Sequence, residues 1–154
     1  MTIAPIRSEP DRPAWRQTTF YPFALTARHA RGDVLRVEPR TISIDTPRHG
    51  DVPVADVVAT HDPESRQVTL LAVNRSETQT VSLQAILRDL PGLYIADHQM
   101  IGGVADELML TNHADAPERV APRQGRGATL DDQALTVALP PVSWSILRLV
   151  PRPA

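Results

Sequence analysis

The chain has 154 residues, enough for one sandwich-sized domain, and its apolar share of 42% supports an ordinary buried core. Only 4% of residues are aromatic, so that core must be aliphatic, and fifteen prolines against seven glycines favour short strands and turns over helices. The net charge is −2, and all sixteen basic residues are arginines scattered along the chain, which excludes the footprint of a nucleic-acid or membrane-surface binder.

In chain order, Thr2–Ile6 can end a strand, and Arg7–Pro13 is a polar loop with two prolines. From Trp15 to Arg31 the pattern is helical: Phe20, Phe23, Ala24, Ala27 and Ala30 recur at spacings of three and four and form one stripe. Gly32 follows as a left-handed cap, behind Arg28, His29 and Arg31 in the last turn. Pro22 must kink this helix or begin a second one. After Gly32 the pattern changes to strands. Val54–Thr60 precedes the turn Asp62-Pro63-Glu64-Ser65, and Gln67–Val73 is nearly continuous in apolar residues, as in a strand covered on both faces. Asn74–Thr78 turns into an alternating strand through Val81, Leu83, Ala85 and Leu87. Leu93–Met100 is a further strand ended by Gly102-Gly103, and Thr111–Thr129 reads as a long loop. Leu135, Val137 and Leu139 alternate before Pro140-Pro141, and Val142–Val150 is the last strand. The fold class expected is mainly β, an antiparallel sandwich or barrel, with no internal repeat.

The absence of cysteine rules out disulfides and thiolate chemistry. Met1–Pro10 lacks the apolar region of a signal peptide, and no segment approaches the roughly 20 apolar residues that span a bilayer, so a soluble, cytoplasmic chain is expected. The acidic pairs Asp62/Glu64, Asp106/Glu107 and Asp131/Asp132 sit in turns or between strands and read as solvated. His29, His49, His61, His98 and His113 lack ligand spacing, so neither a metal nor a cofactor is expected. Gly102-Gly103 and Gly125-Arg126-Gly127 lack the strand–glycine–helix setting of a phosphate loop. Ser143 and Ser145 flank Trp144 with no nucleophile elbow around them. Trp144 shares a strand face with Val142 and Ile146 and is expected in the core, together with Leu83 and Val137.

Several segments, taken in order, resemble the end of a family 51 glycoside hydrolase, the α-L-arabinofuranosidases. Thr2-Ile3-Ala4-Pro5-Ile6 is similar to the final strand of that family's catalytic barrel, and Ala14-Trp15-Arg16-Gln17-Thr18-Thr19-Phe20-Tyr21-Pro22-Phe23 to the loop and helix after it. Val52-Pro53 leading to Asp56, Ala72-Val73-Asn74-Arg75, Pro117-Glu118-Arg119-Val120 with Pro122, and Leu139-Pro140-Pro141-Val142-Ser143-Trp144 resemble its C-terminal domain. The resemblance implies a jelly-roll-like antiparallel β-sandwich over 34–154 behind a barrel remnant over 1–33, the boundary falling anywhere up to about residue 50. It also implies retaining hydrolysis of terminal α-L-arabinofuranosides by two glutamates about 5 Å apart. In the family those glutamates lie upstream of the matched region, so no catalytic residue is expected in this chain and none of its acids is assigned the role.

What carries over toward chemistry is Gln17, similar to a family glutamine that hydrogen-bonds the arabinofuranose ring, with Trp15 beside it flanking the pocket. A neutral amide can donate to and accept from sugar hydroxyls without adding charge. The resemblance implies a structural role in an arabinofuran-degrading hydrolase, with an arabinofuranosyl oligosaccharide or polysaccharide as substrate of the intact enzyme. Self-association and docking to a separate barrel chain are the ways in which residues 1–33, expected to be the weak part of the molecule, could find partners. The alternative is a stand-alone carbohydrate-binding or protein-interaction sandwich, which needs exposed aromatic residues.

Overall fold

A computed structural model describes residues 4–103 and 108–153. Thr2, Ile3 and the Asp106/Glu107 pair lie outside the described residues. The N-terminal part forms a small hairpin of β1 (Ile6–Arg7) and β2 (Trp15–Arg16), then a helix, α1 (Phe20–His29). The next strands are β3 (Asp33–Leu35), the separate hairpin β4 (Ser43–Thr46) and β5 (Gly50–Pro53), β6 (Ala55–His61), β7 (Val68–Asn74) and β8 (Val81–Ile86). The chain ends with β9 (Leu93–Gly102), β10 (Arg123–Gln124), β11 (Thr129–Asp131), β12 (Ala134–Leu139) and β13 (Ser143–Pro151). Two sheets make the sandwich, one ordered β10-β9-β13-β7-β6-β3 and the other β11-β12-β8, and their described pairings are antiparallel.

The alternation of side chains along each strand explains the core. On β7, Val68, Leu70 and Ala72 point inward; on β13, Leu147 and Leu149 do the same. They meet Leu135, Val137 and Leu139 from β12, and the edge strand β8 adds the half-buried Val81, Leu83 and Ala85. Each fully buried Leu or Val contributes about 1.5–3 kcal/mol of transfer free energy. Asn74, at the end of β7, joins the sheets at one rim. Its buried amide donates to the carbonyls of Gln79 (2.8 Å), Leu139 (2.9 Å) and Pro140 (2.9 Å), and its oxygen accepts from the Ser76 N–H (2.9 Å).

The helix begins later than its apolar pattern predicts. Trp15 and Arg16 are strand, and α1 starts at Phe20. Pro22 therefore neither kinks a helix nor divides two; it lies in the first turn, where a backbone N–H has no intrahelical acceptor to lose. The stripe is also rotated. Tyr21 is buried, while Phe23 is 74% exposed and Ala27 is exposed, and α1 packs on β13. Gly32 has the expected left-handed backbone (φ 75°), two residues past the cap at Ala30. A side chain there would strike the His61 carbonyl.

Trp144 departs from expectation. It lies on the opposite face of β13 from Leu147 and Leu149 and is only half-buried, so it is not part of the sandwich core; Val137 is, and Leu83 packs at its margin. The expected Thr111–Thr129 loop is interrupted by β10, which pairs with β9 at Arg123↔Met100 and Gln124↔Gln99.

His98 projects from β9 on the inner face, opposite Leu147, and is 3% exposed. Among the described residues neither ring nitrogen has a hydrogen-bond partner, and Gly125 packs so closely that a Cβ there would overlap the ring. Burial holds the imidazole pKa below its usual 6.5, with Asp97 opposing. The unfolded chain therefore binds the proton more readily, so this contribution to stability is complete above about pH 6.5 and is lost as pH falls below it. Thermal melts from about pH 7 to about pH 5 should show a falling midpoint, and His98→Gln should flatten that slope, leaving the share due to His29, whose pKa is lowered in the same sense by burial and Arg148. Urea denaturation offers a second check: Leu147→Ala should cost about 2–5 kcal/mol, whereas Phe23→Ser should stay within about 0.5 kcal/mol.

Candidate functional site

The short β1–β2 hairpin sets the geometry around the two residues singled out by resemblance. Ile6 pairs with Arg16 and Arg7 with Trp15, and the ladder continues as the Gln17 N–H donates to the Pro5 carbonyl at 2.8 Å. Successive side chains in an extended segment point to opposite sides, so Trp15 and Gln17 share a face and Arg16 takes the other. Trp15 is buried, at 3% exposure, Gln17 is half-buried and Arg16 is exposed. The chain then turns into α1, where the Phe20 N–H donates to the Gln17 carbonyl at 3.0 Å.

Both side chains converge on one backbone atom. The Trp15 indole Nε1 donates to the carbonyl of Asn112 at 3.0 Å, and the Gln17 Nε2 donates to the same oxygen at 3.2 Å. Asn112, itself 3% exposed, returns bonds through its side chain: Nδ2 donates to the carbonyls of Arg16 and Val120, both at 2.9 Å, and Oδ1 accepts from the Val120 N–H at 2.7 Å. Cations cover the aromatic rings, with the Arg7 guanidinium 5.8 Å from the Trp15 ring centre and that of Arg16 5.1 Å from Phe20. Arg12 pairs with Asp115, a further link between the N-terminal segment and the same loop.

The structure thus brings Trp15 and Gln17 together and adds Asn112, which reading the sequence did not identify. Its partners in the N-terminal segment are 95 to 97 residues away in the chain, so no local spacing marks the junction; the only signal is an asparagine following the apolar Leu108–Leu110 run. A cleft of about 610 Å³ lies alongside, lined by Thr18, Ile101, Leu110, Val120 and Pro122 among others, but neither Trp15 nor Gln17 lines it. Of the acidic pairs, Asp62 is committed to its turn: its carboxylate accepts from the Ser65 hydroxyl (2.6 Å) and the Glu64 N–H (3.1 Å), bonds that lower its pKa.

The Asn112 junction can be tested without a ligand. Asn112→Ala removes buried bonds worth about 1–3 kcal/mol, so local opening at β2 should rise on the order of tenfold. Limited trypsin digestion read by mass spectrometry should show faster cleavage after Arg16, with cleavage after Arg66, in an exposed turn, unchanged. Equal rates at Arg16 in both proteins would remove Asn112 as the anchor.

Residues 1–143 match the model of the alpha-L-arabinofuranosidase C-terminal domain. The chain is 42% identical to an intracellular exo-alpha-(1->5)-L-arabinofuranosidase of Bifidobacterium longum over 92% of its own length and 26% of that protein's. It is 38% identical to the Streptomyces lividans intracellular exo-alpha-(1->5)-L-arabinofuranosidase over 95% of its length and 22% of the relative's. A solved family 51 alpha-L-arabinofuranosidase from Bifidobacterium longum superposes with a TM-score of 0.86 at 39% identity, covering 94% of this chain and 28% of that one. The chain spans about a quarter of the length of the relatives it matches.

Proposed function

The chain belongs to the alpha-L-arabinofuranosidase C-terminal domain family, and on that premise we propose that it is the accessory sandwich of an enzyme hydrolysing terminal α-L-arabinofuranosides. The match over residues 1–143 carries this reading. In it, residues 1–33 are the end of a catalytic barrel, 34–154 are the sandwich, and two glutamates on the barrel act as acid/base and nucleophile. Gln17 hydrogen-bonds the arabinofuranose ring, and Trp15 backs the same pocket wall. Relatives named as intracellular support a cytoplasmic location. No described helix is long and apolar enough to cross a membrane.

The outer face of the large sheet supports a barrel as neighbour. Leu71, Val73, Ile101 and Trp144 are half-buried there, and Val58 is 46% exposed. A stand-alone sugar-binding module needs exposed aromatic residues; Trp15 and Tyr21 are buried, so it would have to rest on Phe23 and Tyr94, which lie on separate elements, α1 and β9.

The test is a graft in which residues 1–154 replace the matching C-terminal part of the Bifidobacterium longum relative. The chimera should release p-nitrophenol from its α-L-arabinofuranoside, whereas the 154-residue chain alone should not. Gln17→Ala in the chimera should lower kcat/KM about tenfold, the effect of one lost hydrogen bond. Unchanged kcat/KM would remove Gln17 from the site. Turnover by the isolated chain that disappears on replacing a single Asp or Glu would overturn the reading altogether.

A further inference from the structure

We infer that Asn112 is a positioning residue for substrate binding, one that sets which end of the Gln17 amide faces the sugar; this rests on the functional reading above. A glutamine on a surface can rotate about its side-chain bonds and present either its oxygen or its nitrogen. Recognition of a particular hydroxyl requires one of these to be held in advance, since ordering the side chain at binding weakens affinity.

The arrangement supplies that restraint by a reciprocal grip. The side chain of Asn112 holds the backbone of Arg16 at 2.9 Å, and the backbone carbonyl of Asn112 holds the side chain of Gln17 at 3.2 Å. The carbonyl cannot drift, because the same Asn112 side chain is fixed to both the N–H and the carbonyl of Val120. Trp15 Nε1 occupies the same oxygen at 3.0 Å, so both of its lone pairs are engaged. Turning the Gln17 amide over would set oxygen against oxygen. The amide is therefore locked with one N–H directed into the protein. Its Oε1 and second N–H are left for the ligand, and Oε1 is the acceptor for a hydroxyl. The ligand class that fits is a sugar ring offering a hydroxyl that donates to Oε1, with a second oxygen able to receive the remaining N–H.

The chimera described above separates this role from a purely structural one. Asn112→Asp keeps the acceptor for the Val120 N–H but removes both Nδ2 donations, to Arg16 and Val120. It should lower kcat/KM about tenfold, as should Gln17→Ala, and the double variant should be no worse than about twofold below the weaker single one. The two losses then share one cause. Multiplying losses, about hundredfold in the double variant, would overturn the inference, as would full activity in Asn112→Asp. An inactive wild-type chimera, or one indifferent to Gln17→Ala, overturns the functional reading instead, through proteins in which Asn112 is untouched, and the inference falls with it. If Asn112→Asp lowers the melting point below the assay temperature, side-chain amide exchange in the 154-residue chain decides. One Gln17 amide proton should exchange about tenfold more slowly than those of exposed glutamines such as Gln84. Equal exchange in the wild-type chain would overturn the locked amide.

Discussion

A strand that is apolar on both faces must be covered on both, and β13 imposes that requirement on this fold. Leu147 and Leu149 are fully buried toward β12, and Ile146, on the reverse side, is 2% exposed. No two-layer sandwich can satisfy such a strand alone, because its outer face would meet water. The helix α1 supplies part of the cover. Polar side chains of the outer face end in bonds at the helix C-terminus, where carbonyls lack intrahelical donors. The Thr69 hydroxyl donates to the His29 carbonyl at 2.8 Å, Gln67 Nε2 reaches the same oxygen at 3.4 Å, and Arg148 donates to Gln67 Oε1 at 3.1 Å. Burial and the nearby Arg148 hold the His29 pKa below its usual value, which favours the neutral imidazole beside that guanidinium.

The N-terminal segment is thereby tied to the sandwich at two separated points. At one end the His29 carbonyl meets β7; at the other, Trp15, Arg16 and Gln17 meet Asn112. The weak, partnerless segment expected from the sequence is accordingly docked in part. Tyr21 is buried and Phe20 half-buried, while Phe23 remains in solvent. An isolated helix as short as α1 is marginal in water, so these tertiary bonds, and not propensity, hold it in place.

The strands of the sandwich were legible because burial imposes a period on them. Alternation along β8 and β12, and the nearly continuous apolar run in β7, follow directly from which faces are covered. The β4–β5 hairpin carries no such pattern. Of its four cross-strand pairs, Ile44 with Val52 joins two aliphatic side chains, both half-buried. Trp144 was misassigned because a strand buried on both faces does not say which face belongs to which layer. The start of α1 was misplaced because Trp15 obeys a bond to Asn112 that local periodicity cannot contain. Gln17 and Trp15 were legible only through resemblance, and Asn112 not at all: its role comes from contacts made across most of the chain.

The outer sheet face continues past the helix, and this gives the proposed function its mechanical sense. Val58, Val73, Ile101 and Trp144 leave apolar surface on that face partly exposed, and Phe23 projects from the helix side opposite Tyr21. Residues two apart on a helix point about 200° from each other, so α1 buries Tyr21 and leaves Phe23 facing solvent. Exposed apolar surface of this kind belongs under a neighbouring layer. With a catalytic barrel in that position, α1 is gripped from both sides, and Gln17, three residues before the helix starts, is fixed relative to both bodies. In the proposed reading the sandwich would bear on the chemistry through the placement of Gln17. A shift of about 1 Å in a substrate-positioning group is enough to cost a large factor in rate, so the rigidity of the sheet and the grip of Asn112 bear on the same quantity, the placement of one amide.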